Sequence, residues 1–178
     1  MLADVKARSS VDYMLRTAQQ NQMALATLAD QKANIVLGMT FLSVTLSASK
    51  LTQGAFPLPL ELLLVSAVMA GMFALGALIP RSSVTHHRLD KEGLKTTLNP
   101  LFFGGIASVD YPCYLEHMAD LVRTDAGVYQ AIIADIYSGA RALQRKYQWL
   151  RYSYIALMTG LVISGSVALL QYLGAVPV

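Results

Sequence analysis

The sequence predicts an all-α membrane protein, with three transmembrane helices, long cytosolic helical extensions and a small helical cytosolic insert. Three observations carry that expectation. The apolar residues gather into three blocks that hold no charged residue. Basic residues fall almost entirely on one side of those blocks. Helical periodicity runs without a proline from the polar segments before the first and third blocks into the blocks themselves.

Residues 1–31 are expected to form a cytosolic N-terminal amphipathic helix. Val11, Met14, Leu15, Ala18, Leu25 and Leu28 recur at three- and four-residue steps. Ser9 with Asp12 resembles a capping pair at its start. The same stretch lacks the uninterrupted apolar core of a signal peptide. No Gly or Pro follows until Gly38, so the helix is expected to continue into a first span at 32–50. That block holds 17 uncharged residues between Lys32 and Lys50. A bilayer core about 30 Å thick asks for roughly 20 residues. The block is therefore short, and Asn34, Thr40, Ser43, Thr45 and Ser47 dilute it further. The plainer alternative for such a block is a buried helix of a soluble bundle.

Pro57 and Pro59 mark a turn and the start of a second span at 60–80. Its 19 uncharged residues run from Leu62 to Pro80. Ser66, Ala70 and Ala74 recur at four-residue steps, with Gly71 and Gly76 nearby. Gly160 and Ser164 repeat that spacing in the third span, expected at 152–173. Small residues at such steps let helices approach closely in lipid.

Thirteen of the 14 Lys and Arg residues precede the first block or lie between the second and third; Lys50 is the exception. Positive residues stay on the cytosolic side. The N-terminus and the insert at 81–151 are thus expected in the cytosol, and the C-terminus on the opposite side. The nine basic residues of the insert meet seven acidic ones. So balanced a charge argues against a nucleic-acid polymer as partner and leaves room for a small anionic ligand.

Within the insert, Asn99–Pro100 and Gly104–Gly105 break the chain. Asp110, with Pro112 behind it, is placed to cap a short helix through Arg123. Gly127 is expected to separate that helix from a long one beginning near Val128 and running into the third span. Two helical stalks that both continue into spans suggest a lever between cytosol and membrane.

Catalytic chemistry is hard to place. His86–His87 are adjacent, about 100° apart on a helix, and no Cys–His or HExxH spacing accompanies them, so no metal is expected. His117 with Glu116 and Asp120 reads as a solvated helix face, and Cys113 has no partnered base. GxSxG, Walker A and dinucleotide fingerprints are all missing, and the chain is not expected to be an enzyme.

Three polar or aromatic segments stand out. Asp30, Lys32 and Asn34 put charged and amide groups at the mouth of the first span. Asn99, Phe102, Phe103, Gly104 and Gly105 combine base-stacking rings with glycines that let backbone amides approach a phosphate. Lys146 to Arg151 carries Tyr147 and Trp149, and its plainer reading is an interfacial aromatic belt with Tyr152 and Tyr154. In this order, and with Asp135-Ile136-Tyr137 before the last of them, these segments resemble the Pycsar transmembrane effector family (PycTM) from about Gln20 to Gly165.

The resemblance implies a bacterial antiphage system. A partner pyrimidine nucleotide cyclase makes cyclic UMP or cyclic CMP on infection. The effector senses that messenger, impairs the inner membrane and causes abortive infection. It also implies no cofactor other than that ligand, and a homo-oligomer is expected. Residue chemistry then nominates Asn99, Phe102, Phe103 and Tyr137 for the base, and Gly104, Gly105, Arg81, Lys146 and Arg151 for the phosphate. Asp30, Lys32 and Asn34 are expected to couple the stalks at the membrane boundary. The competing readings are a constitutive anchor or scaffold for a cytosolic protein, and a small channel subunit.

Overall fold

The computed structural model describes residues 9–51, 57–79, 100–107 and 109–174. Every regular element among them is a helix: α1 (Ser9–Leu51), α2 (Leu58–Leu78), α3 (Phe103–Ala107), α4 (Tyr111–Leu121) and α5 (Asp125–Tyr172). Two of these are very long, α1 with 43 residues and α5 with 48. At about 1.5 Å per residue each is roughly 65–70 Å long, about twice the depth of a bilayer core.

Local chemistry sets the boundaries. Pro57 is the extended residue ahead of α2, and its carbonyl accepts from the amides of Leu60 and Glu61. Pro59 sits in the first turn, where a missing N–H costs nothing. Ile79 ends α2 with ψ at 116°, the extended geometry that a following proline imposes. Asp110 takes the N-cap position of α4, but its side chain makes no capping hydrogen bond.

The start of α5 differs from expectation. Gly127 lies inside the helix, and Thr124 starts it: the Gly127 amide donates to Thr124 Oγ1 at 3.2 Å. Glycine is needed there because a Cβ would stand 2.6 Å from the carbonyl oxygen of Leu121.

The chain divides into two compact units, and both long helices contribute to each. The first comprises Met1–Ala24 and Arg81–Leu143. Leu15 and Tyr129 are buried in it. The Tyr129 hydroxyl donates to Asp12 Oδ1 at 2.7 Å, and Gln22 Nε2 donates to the carbonyl of Ile136 at 2.7 Å. Gly139 leaves the room Gln22 occupies. Tyr114 ties the start of the α3 segment down by donating to the Pro100 carbonyl.

The second unit comprises Leu25–Pro80 and Gln144–Val178. Its core has two layers. Ala29, Ala33, Ala77 and Leu150 form one, with Leu78, Tyr147 and Trp149 against them. Val36, Ala70 and Ala74 form the other, with Leu37, Tyr154, Ala156 and Leu157. Phe73 of α2 lies 6.0 Å from the Trp149 ring and 6.1 Å from that of Tyr152. Trp149 thus packs on α2, over Gly76.

Among the described residues two helices, α2 and α5, are long and apolar enough to cross a membrane. Only 28% and 11% of their most apolar stretches are buried, the reverse of a soluble core helix. This corrects the expectation of three spans at 32–50, 60–80 and 152–173 to two candidates. Residues 33–49 are helical within α1, but any span-length window there takes in Lys32 or Lys50 along with the hydroxyls and the amide.

Candidate functional site

The second unit holds two polar arrangements. The first is a charged cluster between α1 and α5. Lys146 forms an ion pair with Asp30, the lysine side chain being 21% exposed and the aspartate 44%. One residue on, the Tyr147 hydroxyl donates to the Leu25 carbonyl at 3.2 Å. Lys32 places its ammonium 5.7 Å from the centre of the Tyr147 ring, within cation–π range. Helical spacing explains the grouping. Leu25, Asp30 and Lys32 span two turns of α1, and one turn of α5 meets them with two consecutive residues. The Lys146 ammonium is therefore already engaged by a carboxylate, and a phosphate would have to share or displace Asp30.

The second arrangement is a set of hydroxyls that all use α2 as acceptor. Thr40 of α1 donates to the carbonyl of Ala67 at 3.2 Å. From α5, Ser153 donates to Ala70 O at 2.7 Å and Ser164 to Pro59 O at 2.6 Å. The acceptor carbonyls are reachable because α2 is small where it is touched. A Cβ at Gly71 would meet Thr40 Cγ2 at 2.9 Å, and one at Gly160 of α5 would overlap the Ser66 side chain. Ser66 itself donates to its own helix, at Leu63 O. Ser47 of α1 is the exception: it is 1% exposed and its Oγ has no partner among the described residues. An unpaired buried hydroxyl costs about 1–3 kcal/mol.

The other candidates are distributed as follows. Phe102 and Tyr137, 39% and 66% exposed, belong to the first unit, as does the buried Gly104. The backbone at Phe103 and Gly105 lies in the five-residue α3. Arg151 and Asn34 are exposed in the second unit. Asn99, Arg81, His86 and His87 lie outside the described residues. Among the described residues no three His, Cys, Asp or Glu side chains are grouped so as to hold a metal. The sequence reading did not identify Ser47, Ser153, Phe73 or Thr124. For Ser47 a signal exists: Ala33, Val36, Thr40, Ser43 and Ser47 follow one another at three- and four-residue steps, a single helix face that turns from apolar to hydroxylic.

No curated protein and no solved structure matches the chain. The family model described as the Pycsar effector protein domain matches residues 13–173, which takes in nearly all of both units. With a match of that extent, the chain belongs to the Pycsar effectors of antiphage defence.

Proposed function

We propose that this chain is a membrane-impairing effector switched on by a cyclic pyrimidine nucleotide. The messenger is 3′,5′-cyclic UMP or CMP made by a partner cyclase on infection, and the outcome is damage to the bacterial inner membrane and abortive infection. The match across residues 13–173 carries this reading. Two apolar helices whose surfaces are mostly uncovered support a membrane setting. The charge asymmetry of the sequence supports a cytosolic insert between the two candidate spans, with the C-terminus beyond α5 on the periplasmic side.

In this reading the first unit is the sensor. Phe102 and Tyr137 offer exposed rings for a pyrimidine, with Asn99, Phe103, Gly104 and Gly105 beside Phe102 in sequence. The unbroken α1 and α5 carry the signal, because each belongs to both units. The Asp30, Lys32, Lys146 and Tyr147 cluster, with Asn34 near it in sequence, couples the two stalks. The chain carries no catalytic step of its own, needs no cofactor, and acts as a homo-oligomer.

The test is thermal stability of the full chain in detergent with cyclic UMP, CMP, AMP and GMP at matched concentrations. A ligand at about 100 times its Kd stabilises by roughly 2.7 kcal/mol. A shift with one cyclic pyrimidine alone supports the sensor and names the messenger. No shift with any of the four, from folded protein, refutes it in favour of a scaffold.

A further inference from the structure

Helical serines and threonines in apolar surroundings usually turn their hydroxyls onto their own backbone one turn back. α1 does this repeatedly near its C-terminal end: Ser43 donates to Met39 O, Thr45 to Phe41 O and Ser49 to Leu46 O. Ser47 does not, although the same helix offers it the same kind of acceptor. Its Oγ is enclosed and has no partner among the described residues.

Ser47 lies on the inward face of α1. That face begins with Ala29, Ala33 and Val36, all fully buried, and continues with Thr40, Ser43 and Ser47. Thr40 and Val36 lie against α2. On its other faces the same stretch carries Phe41, Leu42 and Leu46, 70%, 62% and 62% exposed. The buried face of this stretch thus carries hydroxyls where a simple lipid anchor would carry apolar side chains, while the exposed Thr45 and Ser49 turn theirs back on their own helix. A buried polar atom without a protein partner is ordinarily met by ordered water.

We propose that Ser47 holds a water molecule, and that Thr40, Ser43 and Ser47 are the hydrophilic lining along which water and small ions pass when the effector is switched on. The proposal rests on the effector reading above and specifies how the membrane is impaired. Hydroxyls suit this role because they replace part of an ion's hydration shell while carrying no charge that would trap it. It also accounts for the polarity that keeps residues 33–49 from qualifying as an anchor.

The test uses the full chain with Cys113→Ser as background, reconstituted in vesicles. Ser47→Cys and Phe41→Cys are exposed to a charged, membrane-impermeant methanethiosulfonate, with and without cyclic UMP or CMP. Only a hydrated thiol ionises and reacts, so on the proposal Ser47→Cys is modified in a vesicle faster than Phe41→Cys, on an exposed apolar face of the same helix, by about ten-fold or more. Equal rates in all conditions overturn the proposal. Separately, Ser47→Leu is expected to lower messenger-driven ion flux by about ten-fold or more while Ser47→Thr keeps it. The nucleotide-induced thermal shift is measured on every variant. Unchanged flux in a Ser47→Leu protein that still shows the shift overturns the lining and leaves the sensor reading intact. Loss of the shift in the parent protein overturns the sensor reading, and the messenger-free thiol rates still decide whether Ser47 is hydrated.

Discussion

Lys146 of α5 pairs its ammonium with the carboxylate of Asp30 on α1, at a point where neither side chain is fully exposed. Neutralising one partner leaves the other facing a reduced countercharge. Asp30→Asn and Lys146→Met are each expected to cost about 1 kcal/mol. The double variant is expected to cost less than the sum. Detergent denaturation of the four proteins in a double-mutant cycle measures the difference, and strict additivity would show that the pair contributes nothing.

Gly139 and Gln22 make a sharper coupling. A Cβ on Gly139 would stand 2.8 Å from Gln22 Oε1, so the amide has to move and surrender its bond to Ile136 O. Gly139→Ala alone is expected to be near neutral, the lost hydrogen bond of about 1 kcal/mol being offset by a similar gain in helix propensity. In a Gln22→Ala background, with no bond left to lose, the same change is expected to stabilise by about 1 kcal/mol. Unfolding midpoints of the single and double variants give the sign directly.

Gly160→Ala is expected to be among the most harmful single-methyl additions in the chain. The new methyl overlaps Ser66, and the α2–α5 contact must open, at about 1–3 kcal/mol. Gly165→Ala, on the same helix with open space around it, is expected to be neutral or mildly stabilising. Comparing the two separates crowding from any general effect of alanine in α5.

Tyr129→Phe removes a hydroxyl bonded to Asp12 from a ring that is 5% exposed. The expected loss is about 1.5 kcal/mol, the lower end for a hydrogen bond to a charged acceptor. Asp12→Asn keeps an acceptor in place and is expected to lose less, as thermal unfolding of both variants will show.

The sequence made the helices legible because their signals are local. Residues 9–37 contain neither Gly nor Pro, and α5 contains no Pro, so both read as long helices. Gly127 reads locally as a breaker, yet its lack of a Cβ is what lets the turn after Leu121 close and Thr124 cap the next helix. The block at 32–50 reads as a span from its absence of charge, whereas the hydroxyls of α1 take on meaning only once their shared face is known. The pairs Asp12–Tyr129 and Gln22–Ile136 join residues 117 and 114 apart, a separation no local pattern reports. The sequence neighbourhood of Asp12 speaks only of a capping pair, not of its bond to Tyr129.

The three hydroxyls that cross to α2 end on main-chain carbonyls, at Pro59, Ala67 and Ala70. A helix repeats its carbonyls every turn, about 5.4 Å apart. Along α2 the side chains beside them repeat as well, since Ala67, Ala70, Gly71, Ala74 and Ala77 are all small and all buried. An interface of this kind nonetheless fixes both azimuth and axial position: rotating α1 takes Thr40 away from its acceptor, and sliding it by one turn carries the Thr40 methyl from Gly71, where it fills the place of a missing Cβ, onto a residue that has one.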